Sequence, residues 1–226
     1  MVEVDSTNRV ALDLAREGAP EGVVVVADHQ TAGRGRHGRA WEAAPGAGLL
    51  VSVLLRPTDL PPPRRHLAMA LVALAARDAL GAAAGFWPDV KWPNDLVVGD
   101  LKLAGVAAEA EGSAVVVGVG VNVAAWAIWP EGAVAAEAVA HRAVDPHELL
   151  AGLLASAAAR YGHWDTVATD YRRACATVGR TVRVTMADET FTGAAADVTD
   201  DGHLLVDVGM CLREVVAGEV VHLRPY

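Results

Sequence analysis

The chain has 226 residues, a formal net charge of −9 and a hydrophobic fraction of 53%, so it can bury one sizeable core beside a small second module. The excess of 28 Asp and Glu over 19 Lys and Arg argues against a surface that binds DNA or RNA through its phosphates. No run approaches the roughly 20 apolar residues of a membrane helix, and no basic segment precedes an apolar one at the amino terminus, so we expect a cytoplasmic protein without a membrane partner.

The first part of the chain predicts one helix and two strands around a long loop. Apolar residues at helical spacing predict a helix over 6–17 that ends at Gly18. Short β-branched runs predict strands over 23–27 and 49–55. The loop from 31 to 45 has no predicted structure of its own, and a loop of that length is usually either functional or disordered.

The middle of the chain predicts a second helix and then an antiparallel meander. The helix follows three prolines at 61–63 and is expected to end at Gly81. Residues 90–98 and 101–110 predict two strands joined by a Gly-Asp turn, and 114–123 predicts a third strand beside them.

The last part of the chain predicts helices followed by short strands. Residues 146–176 have a helical pattern, although their alanine content blurs the helix ends. From Val178 the pattern alternates between turns, which predicts five short strands before Tyr226. We therefore expect an α+β fold, with a mixed or antiparallel sheet and packed helices over 1–176, and a small barrel-like β domain over 177–226.

The glycine-arginine run Gly33-Arg34-Gly35-Arg36-His37-Gly38-Arg39 indicates an anion-binding loop. Its glycines let the backbone approach a ligand, and its guanidinium groups bind carboxylate or phosphate oxygens in pairs. A solvated basic loop is the structural alternative. The run also matches the dinucleotide motif G-x-G-x-x-G, but it leads through Trp41 toward a strand and does not open a helix, so that interpretation fails.

The predicted hairpin brings an acid and a base together. If Val98 pairs with Leu101, then Val97 faces Lys102, and Asp95 lies diagonally from Lys102 on the same face. A lysine on an otherwise apolar strand is costly unless its charge meets an anion. The alternative is a solubility charge on an edge strand.

Glycines within the third strand of the meander indicate that something packs closely on that face. Gly118 and Gly120 alternate there, followed by Asn122, and they leave room either for a ligand or for another element of the protein. Ser6-Thr7-Asn8 has its own structural interpretation as a helix start.

Five segments together closely resemble the biotin protein ligase family, in order as well as in spacing. They are Ser6-Thr7-Asn8, Gly33 to Arg39 with Trp41, Lys91 to Asp95, Lys102 to Gly105, and Gly118 to Asn122. The resemblance runs from about residue 5 to the end, where Gly218 to Arg224 is similar to the small SH3-like barrel of that family.

The resemblance implies a two-step reaction with biotin and MgATP as substrates. The carboxylate of biotin attacks the α-phosphate to give biotinyl-5'-adenylate and pyrophosphate, and a lysine of a biotin carboxyl carrier protein then takes the biotinyl group. Because the first motif begins at Ser6, we expect no helix-turn-helix domain ahead of it and no DNA-binding repressor function.

The resemblance also implies roles for individual residues, with Lys102 and Arg36 as the catalytic pair. The residues expected to hold biotin are Ser6, Thr7, Asn8, Gln30, Gly33, Arg34, Gly35, Arg36, Lys102, Gly105, Gly118 and Gly120. Those expected to bind ATP and the adenylate are Arg36, Arg39, Trp41, Lys91, Trp92, Asn94, Asp95, Lys102 and Asn122. No direct protein cage is expected for Mg²⁺, which would arrive with ATP near Asp95.

Two alternative functions remain, and the residue that stacks on adenine is not assigned. A lipoate or octanoate ligase would share the catalytic lysine, but the Gly-Arg loop and the Lys-Trp-Pro-Asn-Asp segment favour biotin. A non-catalytic biotin-binding module would not need both Lys102 and Arg36. Trp126 and Trp129 lie in a stretch that resembles the family less, and either is a candidate for stacking on adenine.

Overall fold

A computed structural model describes residues 1–223 of the chain. The prediction that Arg224 belongs to the carboxy-terminal motif lies outside the described residues, as does the end of the predicted 177–226 domain. The described residues form helices and largely antiparallel sheets, which confirms the predicted α+β fold class.

The body of the protein is built on a six-stranded sheet. The strands of the body are β1 (Glu3–Val4), β2 (Val24–Ala27), β3 (His29–Gln30), β4 (Gly48–Leu55), β5 (Asp89–Lys91), β6 (Asp95–Val98), β7 (Leu101–Glu111) and β8 (Ala114–Asn122). The sheet has the order β2-β4-β8-β7-β6-β5 with antiparallel neighbours, while β1 and β3 form a separate parallel pair. The predicted strands β2, β4, β7 and β8 are confirmed.

Helices cover both faces of this sheet. They are α1 (Thr7–Arg16), α2 (Leu67–Ala84), α3 (Ala136–Ala140), α4 (Pro146–Arg160) and α5 (Trp164–Ala174). Leu54 and Val116 pack with α1, whereas Val53 and Val117 face the core formed by α2, α4 and α5. Adjacent strand residues point to opposite faces, so α1 and α2 lie on opposite sides of the sheet.

The first helix begins as predicted. The side chain of Ser6 accepts a hydrogen bond from the backbone N–H of Arg9, and this cap satisfies one of the open donors of the first turn. Because Ser6, Thr7 and Asn8 sit at the start of α1, the cap also fixes where the polar side chains of that turn point.

The second helix corrects the predicted helix end. It continues through Gly81 and ends at Gly85, which has a φ of 82°; Gly81 is tolerated inside the helix because the ring of Trp87 occupies the space of its missing side chain. Residues 62–84 are long and apolar enough to cross a membrane by composition, with a mean hydropathy of 1.6, yet 72% of that window is buried within the described protein, as in a core helix.

The predicted strand over 90–98 is interrupted. Trp92, Pro93 and Asn94 form a tight turn with a cis Trp92–Pro93 bond, and β5 and β6 pair across it with Lys91 opposite Asp95. Pro93 lacks an amide hydrogen for a ladder bond, so the chain reverses there instead of running straight. This turn, residues 92–94, borders the candidate site described below.

The carboxy-terminal part forms a second sheet of five strands, as predicted. The strands are β9 (Thr181–Thr185), β10 (Thr190–Val198), β11 (Leu204–Asp207), β12 (Leu212–Val215) and β13 (Glu219–His222), in the order β12-β11-β10-β9-β13. Within residues 1–223, β12 and β13 do not pair, so the barrel-like sheet is open. It docks beside the 92–94 turn, where the indole Nε1 of Trp92 donates to the carbonyl of Gly202 at 2.9 Å.

Candidate active site

A cavity of about 180 Å³ lies on the α1 face of the large sheet, between β7, β8, the glycine-arginine loop and the second sheet. Nearly all the residues singled out in the sequence line it. They are Ser6, Thr7, Asn8, Gln30, Arg34, Gly35, Arg36, Arg39, Trp41, Lys91, Trp92, Asn94, Asp95, Lys102, Gly105, Gly118 and Gly120. Segments from the start and the middle of the chain therefore share one site.

One end of the cavity is a polar cluster at the start of α1. The backbone N–H and the hydroxyl of Thr7 both donate to Oε1 of Gln30, at 2.8 and 3.0 Å. The amide nitrogen of Asn8 donates to Glu109 at 3.0 Å. Each of these side chains is held by a partner, so the cluster presents amide and hydroxyl groups in fixed orientations.

Ser52 contacts this cluster from the buried strand β4, and its role was not predicted. It is fully buried on β4, with its hydroxyl 2.8 Å from the Thr7 hydroxyl and 2.7 Å from Oδ1 of Asn8. The available signal was a single polar residue inside the apolar run Leu49–Leu55, because a buried hydroxyl needs a partner.

The glycine-arginine loop has more structure than predicted. Arg34 and Ala40 form an isolated antiparallel bridge, and the N–H of Trp41 donates to the carbonyl of Gly33 at 3.0 Å. A short 3-10 helix, Arg36–Gly38, closes this small hairpin. Arg34, Arg36 and Trp41 of this hairpin line the cavity, whereas Gly33 is not among its lining residues.

The glycines of β7 and β8 allow close packing by protein side chains. A Cβ at Gly120 would collide with the indole of Trp41, and one at Gly105 would lie 3.0 Å from the same ring. A Cβ at Gly118 would collide with the side-chain amide of Asn8. The close packing predicted from these glycines is therefore made by Trp41 and Asn8, and the three positions also line the cavity.

The predicted pairing of Lys102 with Asp95 is confirmed. Val98 pairs with Leu101 and Val97 with Lys102, and the Lys102 Nζ lies 2.7 Å from Oδ1 of Asp95. Lysine occurs at only two positions of the chain, 91 and 102, and both line the cavity. The protein uses arginine for its other side-chain cations, which argues against Lys102 as a general solubility charge.

Arg36 connects the loop to the 92–94 turn and to the second sheet. Its Nη1 donates to Oδ1 of Asn94 at 3.2 Å and its Nη2 to the carbonyl of Gly218 at 3.4 Å. Burial lowers the pKa of the Arg36 guanidinium, and the nearby Asp95 opposes that shift. A guanidinium removed from water in this way interacts strongly with any anion in the cavity.

The second sheet contributes a wall of the cavity that the sequence did not predict. Residues 218–221 line it, and Arg39 forms an ion pair with Glu219. Arg34 also lines the cavity, where a guanidinium is able to bind an anion. The docking of a separate sheet has no local sequence signal, because the contact depends on tertiary packing.

Some predicted residues lie apart from the cavity. Asn122 is buried and donates to the carbonyls of Lys102 and Val134, at 3.3 and 3.2 Å, so it braces the end of β8. Trp129 donates to the carbonyl of Ala124 at 2.9 Å and Trp126 is 68% exposed; neither lines the cavity. No cluster of three His, Cys, Asp or Glu side chains suited to a metal occurs in the described part of the chain.

The sequence and the fold both match known protein families. Residues 2–124 match the model of the Biotin/lipoate A/B protein ligase family, and residues 177–223 match that of the Biotin protein ligase C terminal domain. The biotin–[acetyl-CoA-carboxylase] ligase of Mycobacterium tuberculosis is 37% identical, over 99% of this chain and 88% of its own length. A bifunctional ligase/repressor of Bacillus subtilis is 29% identical, over 96% of this chain and 71% of its own length.

A solved structure agrees with these matches. The biotin protein ligase from Aquifex aeolicus, in complex with biotin and ATP, superposes with a TM-score of 0.86 at 25% identity, covering 100% of this chain and 97% of that one. The fold and cavity thus define a protein of the biotin and lipoate ligase class. The chain belongs to the biotin protein ligase family.

Proposed function

We propose that this chain attaches biotin to a carrier protein in two chemical steps. In the first, an oxygen of the biotin carboxylate attacks the α-phosphorus of ATP, the bond from that phosphorus to the bridging oxygen breaks, and pyrophosphate leaves. In the second, the amine of a carrier lysine attacks the carbonyl carbon of biotinyl-5'-adenylate. AMP leaves with the bonding electrons of the C–O bond, and the amine loses a proton as the amide forms.

The observation that carries this proposal is a cavity that is lined by three cationic side chains and, at the start of α1, by a neutral polar cluster. Arg34, Arg36 and Lys102 line the same cavity as the Thr7–Gln30 cluster. A carboxylate and a triphosphate repel each other, so bringing them into line requires fixed positive charge. The neutral cluster suits a ring with an amide-like group, such as the ureido ring of biotin.

We assign residues to the two substrates on the basis of these cationic and neutral groups. For biotin we propose Ser6, Thr7, Asn8, Gln30, Gly33, Arg34, Gly35, Arg36, Lys102, Gly105, Gly118 and Gly120. For ATP and the adenylate we propose Arg36, Arg39, Trp41, Lys91, Trp92, Asn94, Asp95 and Lys102, with Asn122 bracing the strand end. Lys102 and Arg36 would stabilise the charge that shifts onto phosphate as the carboxylate attacks. Trp41 covers the glycines beneath the reacting groups and helps to exclude water from the mixed anhydride.

The donor set around the cavity fits a magnesium ion that arrives with ATP. Asp95 and Glu219 are carboxylates that line the cavity, and no protein cage for a metal occurs among residues 1–223. Mg²⁺ prefers oxygen ligands and commonly keeps one or two carboxylates beside substrate phosphates. When bound, it would neutralise part of the triphosphate charge, with Asp95 as the proposed protein ligand.

The proposed protein partner is the biotin carboxyl carrier protein or domain of a biotin-dependent carboxylase. Relatives named for acetyl-CoA carboxylase support this choice. We also propose that residues 1–176 form the catalytic domain and 177–226 a smaller carboxy-terminal domain, and that the reaction takes place in the cytoplasm.

Transfer to a purified carrier domain tests the whole reaction. With ATP, Mg²⁺ and biotin, the intact mass of the carrier should increase by one biotinyl group, and a carrier with its acceptor lysine changed to arginine should stay unmodified. Lipoate and octanoate should not replace biotin. Modification by lipoate but not by biotin would contradict the proposal, as would a carrier that stays unmodified under all these conditions.

Replacing Ser52 by alanine tests the assigned biotin end. The change leaves the buried Oδ1 of Asn8 and the hydroxyl of Thr7 without that partner, so biotin affinity should fall by roughly tenfold, or about 1.4 kcal/mol. Binding is measured by titration calorimetry without ATP. Ser113→Ala, which alters an exposed hydroxyl beside Arg56, should bind biotin like the parent; equal affinity for both variants would refute the role of Ser52.

A further inference from the structure

The 92–94 turn presents polar groups to the cavity, yet its own backbone is held by residues outside the cavity. Asn94 accepts from Arg36 at 3.2 Å and donates to the carbonyl of Val106 at 2.8 Å. Asp95 follows directly and pairs with Lys102 at 2.7 Å. The placement of Asn94 and Asp95 therefore depends on the path of the backbone at Trp92 and Pro93.

The hydroxyl of Thr177 holds one side of this turn. Thr177 is fully buried in the segment between α5 and β9, and its Oγ1 accepts from the backbone N–H of Trp92 at 3.0 Å. The same oxygen lies 2.9 Å from Nε2 of His222 on β13. Burial lowers the pKa of His222, with Lys91 and Arg180 adding to the effect, so its ring is neutral near pH 7 and able to accept the hydroxyl hydrogen.

The hydroxyl of Tyr171 holds the other side. Tyr171 lies on α5, is 2% exposed, and donates to the carbonyl of Pro93 at 2.6 Å. Burial raises its pKa, so the phenol keeps its proton and acts as the donor. The two hydroxyls thus fix the peptide groups on either side of the Trp92–Pro93 bond, one at an N–H and the other at a C=O.

We propose that Thr177 and Tyr171 are positioning residues for the adenylation step, which hold the 92–94 turn so that Asn94 and Asp95 stay aligned with Arg36 and Lys102. This inference rests on the proposed function, because it assigns a purpose to the turn within that reaction. Neither side chain is a catalytic residue; each acts through the backbone that carries the site.

The matched variants Thr177→Val and Thr177→Ser test the positioning role of Thr177. Valine keeps the shape and removes the hydroxyl, whereas serine keeps the hydroxyl. A buried N–H without its acceptor favours a shifted turn, and small displacements of reacting groups have large effects on rate. We expect biotin-dependent exchange of pyrophosphate into ATP to fall on the order of tenfold to a hundredfold in Thr177→Val and to remain close to the parent in Thr177→Ser.

Two further readouts separate positioning from a general effect on the fold. Biotin affinity without ATP should fall much less than exchange in Thr177→Val, because the Thr7–Gln30 cluster is held by its own hydrogen bonds. Thr169→Val, which removes an exposed hydroxyl of α5 that donates to the carbonyl of Asp165, should match the parent in every assay. All rates are measured below the melting temperature of each variant, as determined by circular dichroism.

Tyr171→Phe keeps the test decisive if the valine variant does not fold. It removes one hydroxyl oxygen and retains the ring, and it should lower exchange much more than biotin affinity. Parent-like exchange in Thr177→Val or in Tyr171→Phe would overturn the inference for that residue, and so would an equal loss in Thr177→Ser. A parent protein without biotin-dependent exchange would instead overturn the proposed function.

Discussion

Replacing Lys102 by alanine is expected to lower adenylate formation by on the order of a hundredfold to a thousandfold, the largest effect that we predict. The side chain lies on β7, where its ammonium pairs with Asp95 at 2.7 Å and lines the cavity. Its charge should stabilise the oxygens that gain negative charge as biotin attacks the α-phosphate. The rate is measured as biotin-dependent pyrophosphate exchange.

The fold should survive the loss of Lys102. The Lys102 side chain is 39% exposed and the Asp95 side chain 22% exposed, so truncation at 102 opens the Asp95 carboxylate to water and the melting temperature should change little. Arg16→Ala is the matched control, since it removes an exposed cation paired with Glu111 at 2.8 Å, and its exchange rate should equal that of the parent. Exchange by Lys102→Ala within about twofold of the parent would exclude the proposed role.

Replacing Arg36 by alanine is expected to release the intermediate. The guanidinium is partly buried between Asn94 and the carbonyl of Gly218, where it is able to bind phosphate oxygens through charge-assisted hydrogen bonds. Loss of such bonds should shorten the lifetime of biotinyl-5'-adenylate on the enzyme by roughly tenfold to a hundredfold. Release is followed by rapid dilution of enzyme preloaded with radiolabelled adenylate.

A matched variant separates charge from geometry at this position. Arg36→Lys keeps a positive charge but loses the planar fork that binds two oxygens at once, so its adenylate lifetime should lie between those of the parent and Arg36→Ala. The predicted role of Arg36 in retention would be wrong if all three proteins released adenylate at the same rate.

Local patterns predicted much of the fold because those elements depend on neighbouring residues. The β-branched run before Asp28 and the alternation around Gly118 lead to strands that the structure contains. The pairing of Lys102 with Asp95 followed from the Gly-Asp turn alone, since hairpin length determines which residues face each other. These predictions needed no knowledge of distant contacts.

The predicted and observed structures differ where tertiary packing determines the local conformation. Gly81 lies inside the helix, where Trp87 occupies the space that a side chain at this position would need. The strand predicted through Pro93 is broken by a turn that Thr177 and Tyr171 hold from outside. The loop that carries Arg36 was expected to be irregular, but it folds into a small hairpin over the cavity.

In the candidate site, too, the residues in local sequence motifs were predicted and those that depend on tertiary contacts were not. The sequence motifs account for its chemistry, from the helix start at Ser6 to the lysine of β7. The wall formed by 218–221 and the support from Ser52 were not predicted, because each becomes visible only when segments far apart in sequence are in contact. Asn122, predicted to bind ATP, instead braces β8.

The most direct test of the proposed function is exchange of radiolabelled pyrophosphate into ATP by the purified protein. This measurement isolates the first step, because exchange requires reversible formation of an acyl adenylate and no carrier protein. We predict exchange that depends on biotin and Mg²⁺ and is absent with lipoate or octanoate. Exchange without any added acid, or exchange with lipoate and none with biotin, would contradict the assignment of this cavity to biotin.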